Sequence, residues 1–175
     1  MAKFQMLIDP ETAAAAQAAV SRQLLPPPDA VSRGGSVRWN QPLEVSNVAA
    51  APNTKDPTGM TITVKFIVPP DVDPDDPNNG KTFMQWYDVL PAAFHNPGHD
   101  RYKANNINIG KLNSLLRAAG YDLPHGEALD YGDFFSADEG DQPVIVGHRV
   151  EALVRQYVYD GKERQTVDEF FSVVE

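Results

Sequence analysis

Cysteine is absent from the chain, which excludes disulfides, thiolate nucleophiles and the common cysteine-based zinc sites. Long apolar runs are missing too. The longest, Ile62 to Val68, is interrupted by Thr63 and Lys65 and falls far short of a membrane span. The opening residues, Met1 to Pro10, hold no apolar stretch of the kind an export signal needs, so the expected location is the cytoplasm. Positive charge is scarce: 15 Lys and Arg stand against 24 Asp and Glu, a net charge of −9. A chain of that sign is not a general polyanion binder.

Catalytic and metal signatures are also lacking. Gly34-Gly35-Ser36 precedes a strand pattern rather than a helix, so it is not a phosphate-cradling loop. Ser32, Ser36 and Ser136 sit in no nucleophile-elbow pattern. The Asp71 to Asp76 run has neither the spacing nor the closing Glu of a calcium loop. His95 and His99 flank Pro97-Gly98 and so do not share a helix face as a metal-binding pair would. The expectation is a binding protein with no catalytic residues, no cofactor and no metal.

What is present is the composition of one globular domain: 175 residues, 42% hydrophobic and 22% charged. Asp71, Asp73, Asp75 and Asp76, and again Asp138, Glu139 and Asp141, lie in stretches that read as exposed loops. Asp9-Pro10-Glu11 opens a helix, since Asp caps, Pro fits the first turn and Glu suits the positive dipole end. The alanine-rich run Thr12 to Leu25 continues it until Pro26-Pro27-Pro28. Alanine offers little to bury, so this helix is an arm, able to pack on a second copy. Residues 1–33 are arm and linker, with Pro26 to Gly35 as the linker, and residues 34–175 form the binding domain.

From Val37 the period alternates. Val37, Trp39, Gln41, Leu43 and Val45 share a strand face, with Pro42 marking an edge or bulge. In Met60 to Val68, residues Met60, Ile62, Val64, Phe66 and Val68 face one way while Thr61, Thr63 and Lys65 face the other. A third strand runs from Thr82 to Leu90. Its core set is either Met84 with Trp86, or Phe83 and Gln85 with Tyr87. Pro91 to Asn106 shows no period. Ile107 to Ala119 is an amphipathic helix carrying Ile109, Leu112, Leu115 and Leu116, stopped by Gly120. Val144 to Tyr159 and Lys162 to Val173 read as strands joined at Asp160-Gly161, a two-residue hairpin turn. Three strands, a helix and two strands is the element order of an OB-like five-stranded Greek-key barrel, mainly β, here with an N-terminal helical arm.

The hairpin carries the functional expectation. A turn at Asp160-Gly161 sets Tyr159 opposite Lys162, Tyr157 opposite Arg164 and Arg155 opposite Thr166, all on one face. Val150, Ala152, Val154, Val158 and Val167 fall on the other face, as core. Rings stack on bases while Arg and Lys neutralise phosphates, so such a face suits single-stranded nucleic acid. The same face is also consistent with a solvated hairpin held by cross-strand cation–π pairs. Lys65 and Trp86 are further candidates on the second and third strands. Arg101, Tyr102 and Lys103 repeat the mixture in a loop able to close over a strand.

Gly80-Lys81-Thr82-Phe83, the run Ile109-Gly110-Lys111-Leu112-Asn113-Ser114-Leu115-Leu116-Arg117-Ala118-Ala119-Gly120, then Val144-Ile145-Val146 and Thr166-Val167-Asp168-Glu169-Phe170 follow one another in the chain. This succession resembles a family of small bacteriophage proteins regarded as single-stranded-DNA-binding proteins of phage replication and recombination. The resemblance covers about 37–171 and leaves the N-terminal helix out. It implies an OB-like fold, single-stranded DNA as partner and the cytoplasm of an infected bacterium as location. None of its motifs is catalytic. The chain departs from it in its acidity and in having no separate acidic tail ending in Phe; Phe170 to Glu175 reads as a last strand. A structural protein of the phage particle is the alternative, with the arm reaching a neighbour and the Tyr/Arg hairpin forming an interface.

Overall fold

The computed structural model describes residues 31–33, 36–94, 96–123 and 129–173. The alanine-rich helix expected over 9–25 lies outside them. A short strand β1 (Val31–Arg33) is followed by β2 (Ser36–Pro52), β3 (Met60–Ile67) and β4 (Thr82–Val89). Helix α1 (Tyr102–Ala118) and the single turn α2 (Gly132–Phe135) lead to the hairpin of β5 (Arg149–Tyr159) and β6 (Lys162–Ser172). The strands form one antiparallel sheet in the order β4-β3-β2-β5-β6, with β1 beside β2.

β2 organises the sheet because it changes partner along its length. Val37 to Glu44 pair with β5, Glu44 to Pro52 pair with β3, and a bulge falls between Val45 and Asn47. Pro42 sits opposite Glu151 in the span that faces β5 alone, where a missing N–H breaks no second ladder. One face of the bent sheet is continuous core: Trp39, Leu43 and Val45 from β2, Ile62, Val64 and Phe66 from β3, Phe83 and Tyr87 from β4, Val150, Ala152 and Val154 from β5, and Val167 and Phe170 from β6. Leu112, Leu115 and Leu116 of α1 are fully buried against it, one helix stripe as their spacing requires.

The end strands β4 and β6 share no ladder. Side chains close the gap instead, giving a barrel-like curl. Gln85 Oε1 accepts from the Val167 backbone N–H and from Thr166 Oγ1, both at 3.3 Å. Farther along, α1 fills the wedge: Ser114 Oγ donates to the Phe170 carbonyl (3.1 Å) and accepts from its N–H (3.0 Å). On the β4 side, Asn105 Oδ1 accepts from the Leu90 N–H and Asn108 Nδ2 donates to the Asp88 carbonyl. Several edge groups of both strands are thus met by side chains.

Several expectations change. Val31 to Arg33, read as linker, pair with Ser36 to Arg38. α1 begins at Tyr102 rather than Ile107, because Asn105 and Asn108 find partners at the end of β4 despite low helix propensity. Val144 to Gly147 are turns, not the start of a strand: Gly147 has φ +91° and its N–H bonds the Val45 carbonyl. The Asp71 to Asp76 loop is more than a solvated run. Asp76 accepts from Gln41 Nε2 (2.6 Å), and Asn78 Nδ2 donates to Gln41 Oε1 (2.8 Å), with Gln41 and Asn78 both fully buried.

Candidate nucleic-acid interface

The hairpin turn has Asp160 at φ 52° and Gly161 at φ 70°. Two consecutive left-handed residues make the turn whose twist matches the strands it joins. The register is the one expected, Tyr159 with Lys162, Tyr157 with Arg164 and Arg155 with Thr166. The Arg155 guanidinium lies over the Tyr157 ring, 4.9 Å from its centroid, a stacked pair of the kind that stiffens a strand face. Tyr159, Lys162 and Arg164 are exposed and Tyr157 is half-buried. Val158, expected in the core, is 65% exposed. Pairing of β5 with β2 ends at Gln156 opposite Val37, so the hairpin outruns the layer that would have covered Val158.

A second patch lies on the outward face of β3 and β4. The core takes Phe83, Gln85 and Tyr87, since Tyr87 pairs with the buried Ile62 and Phe83 with the buried Phe66. Trp86 therefore faces outward opposite Thr63, and Lys65 lies opposite Met84 on the same face, both half-buried. Arg101 is joined to this face because its Nη2 donates to Asp88 Oδ2 at 3.0 Å, but that ion pair occupies its charge. Tyr102 and Lys103, expected in a closing loop, form the first turn of α1. Gln85, next to Trp86 on β4, bonds Thr166 and Val167 of β6, and Thr166 lies opposite Arg155, so one side-chain bridge links the strands that carry the two patches.

The sequence reading missed the partners that organise Arg155. Arg38 lies directly opposite it on β2. Both donate from Nε to Asp168, at 3.1 Å from Arg38 and 3.0 Å from Arg155. Asp168 is the extra residue at the bulge where Val154 pairs with Val167 and Leu153 with Glu169. From α1, Lys111 Nζ donates to Thr166 Oγ1 at 3.0 Å. Burial lowers the Lys111 pKa, opposed by the Asp168 charge, with Arg155 adding to the lowering. The only signal for Arg38 in the chain was its place opposite the Val37-Trp39-Gln41 face. Its neighbour on β5 depends on pairing more than a hundred residues apart.

The hairpin face presents Arg155, Lys162 and Arg164 in a chain of net charge −9, with Asp160 and Glu163 exposed beside them. No ion pair among the described residues involves Lys65, Lys162 or Arg164. Arg149 bridges Asp71 (2.7 and 3.0 Å) and Glu44 (2.9 Å), and its hydrogen bonds hold the Asp71 carboxyl below the usual carboxylate range. Among the described residues no three His, Cys, Asp or Glu side chains gather to hold a metal, and no helix is long and apolar enough to cross a membrane. His95 and His125 lie outside the described residues. No protein-family model matches the chain, and neither does any curated protein.

Proposed function

We propose that the chain is a non-catalytic single-stranded-DNA-binding protein with an OB-like barrel, acting in phage replication or recombination in the cytoplasm of the infected host. The strand pairing supports the fold assignment. A long first barrel strand, β2, pairs with both the second (β3) and the fourth (β5), and a helix enters between the third and fourth. The observation that carries the function is the outward hairpin face, where Tyr157 and Tyr159 alternate with Arg155 and lie opposite Arg164 and Lys162. Bases stack on the rings at roughly 1–3 kcal/mol each, and the cations release counterions from the backbone. Trp86 and Lys65 extend the surface on β4 and β3. The resemblance to the phage family points the same way.

One observation favours the particle-assembly alternative: the hairpin tip exposes Val158 and Tyr159, at 65% and 66%, as a protein interface would. Fluorescence anisotropy with labelled oligothymidine and a matched duplex, at low salt, tests the proposal. Binding of the single strand in preference to the duplex is expected. No affinity for either, together with self-association through the hairpin, would favour assembly.

A further inference from the structure

Like charges directly opposite each other on neighbouring strands repel, yet Arg38 and Arg155 face each other across β2 and β5. Asp168 bridges them through both Nε atoms, and Lys111 adds a third cation from α1, close enough to feel Asp168 and Arg155. Three cations against one carboxylate leave two positive charges in surplus. The donors are in surplus as well. The terminal Nη groups of Arg38 and Arg155 make no hydrogen bond among the described residues, and Lys111 Nζ uses one of its three N–H donors. Lys111 and Asp168 also line an open groove between α1 and β6. A Cβ on Gly110, in the same groove, would meet nothing within 4 Å. Glu169 and Arg117 line it too, one charge of each sign.

We propose that Arg38, Arg155 and Lys111 form a phosphate-binding anchor around Asp168, beside the α1–β6 groove that Lys111 and Asp168 line, fixing the backbone of the single strand whose bases lie on the hairpin face. Guanidinium forks and an ammonium converging from three elements suit the non-bridging oxygens of a phosphate better than a second carboxylate, a place Asp168 already fills. The anchor rests on the single-strand reading for its ligand but not for its existence. The chemistry it recognises, a phosphate group, belongs both to a nucleic-acid backbone and to a free phosphate ester.

The test has two arms on the full chain. In the first, the slope of log K against log salt for oligothymidine is compared between the parent, Lys111→Met and Arg38→Gln. Each variant is expected to shrink it by roughly 0.7, one phosphate contact on a single strand. In the second, inorganic phosphate is titrated while the arginine Nε–H resonances are followed by NMR. Those of Arg38 and Arg155 are expected to shift in the parent and to respond more weakly in Lys111→Met. A parent that binds oligothymidine with unchanged slopes in both variants overturns the anchor and leaves the hairpin reading standing. In a parent that binds no oligonucleotide, the single-strand reading fails and the phosphate arm decides. Saturable shifts then assign the site to a free phosphate ester, and their absence overturns it.

Discussion

Replacing Gln85 by Met tests how the sheet is closed. Gln85 is buried, and its Oε1 is the acceptor for the Val167 N–H at a point where Val167 is fully enclosed. Methionine fills similar space but offers no comparable acceptor, so that N–H becomes a buried donor without a partner. Such a loss costs about 1–3 kcal/mol. The 3.3 Å length of both bonds to Gln85 Oε1 places the effect in the lower part of that range, about 1–2 kcal/mol. Thr166 adds little, since its hydroxyl is partly exposed and still accepts from Lys111. With an ordinary urea dependence the midpoint should fall by about 0.5–1 M with unchanged slope. Hydrogen exchange at the Val167 amide should quicken more than at Val154, on the strand next to it. An unchanged midpoint with an equally protected Val167 amide would refute this closure, and with it the side-chain bridge between the strands that carry the two outward patches.

Leu116, fully buried under α1, should cost roughly 2–5 kcal/mol on change to Ala by thermal or urea unfolding; the cost of a surface substitution would mean the helix packs by another face. Alkaline pH should destabilise the protein. Burial pushes the Tyr131 phenol up to about 12 and raises Tyr87 further, its hydroxyl having no hydrogen-bond partner among the described residues. A folded-state pKa above the unfolded value of about 10 gives stability that is complete below pH 10 and is lost as pH rises through about 12. Urea midpoints at neutral pH and at about pH 11 should show the fall, and tyrosinate absorbance from two of the six tyrosines should appear only with unfolding.

The parts legible in the sequence are those fixed by neighbours in the chain. Asp160-Gly161 sets the hairpin register by turn geometry alone, and Leu112, Leu116 and Gly120 set the buried face and stop of α1 by helical spacing. The parts that were not legible depend on distant partners. The alternation Phe83-Met84-Gln85-Trp86-Tyr87 is symmetrical until Ile62 lies opposite Tyr87. Val158 alternates as a core residue would, and only the end of β2 pairing at Val37 shows that nothing covers it. Val144-Ile145-Val146 has strand residues, yet Gly147 turns the chain back to Val45. The candidate interface was half visible: its rings and cations on the hairpin could be read, whereas Arg38, Lys111 and the Asp168 bulge needed the folded sheet.

The claim that the hairpin face binds single strands is tested most directly by oligothymidine affinity across salt for the parent, Tyr157→Ala and Arg164→Ala. Removing Tyr157 deletes a stacking surface, so affinity should fall by roughly 1–3 kcal/mol with little change in slope. Removing Arg164, which forms no ion pair among the described residues, should shrink the slope by roughly 0.7. Both should fold as the parent does, because the core lies on the opposite face at Val150, Ala152 and Val154. Affinity and slope unchanged in both variants, or a parent that ignores single strands at low salt, would contradict the account.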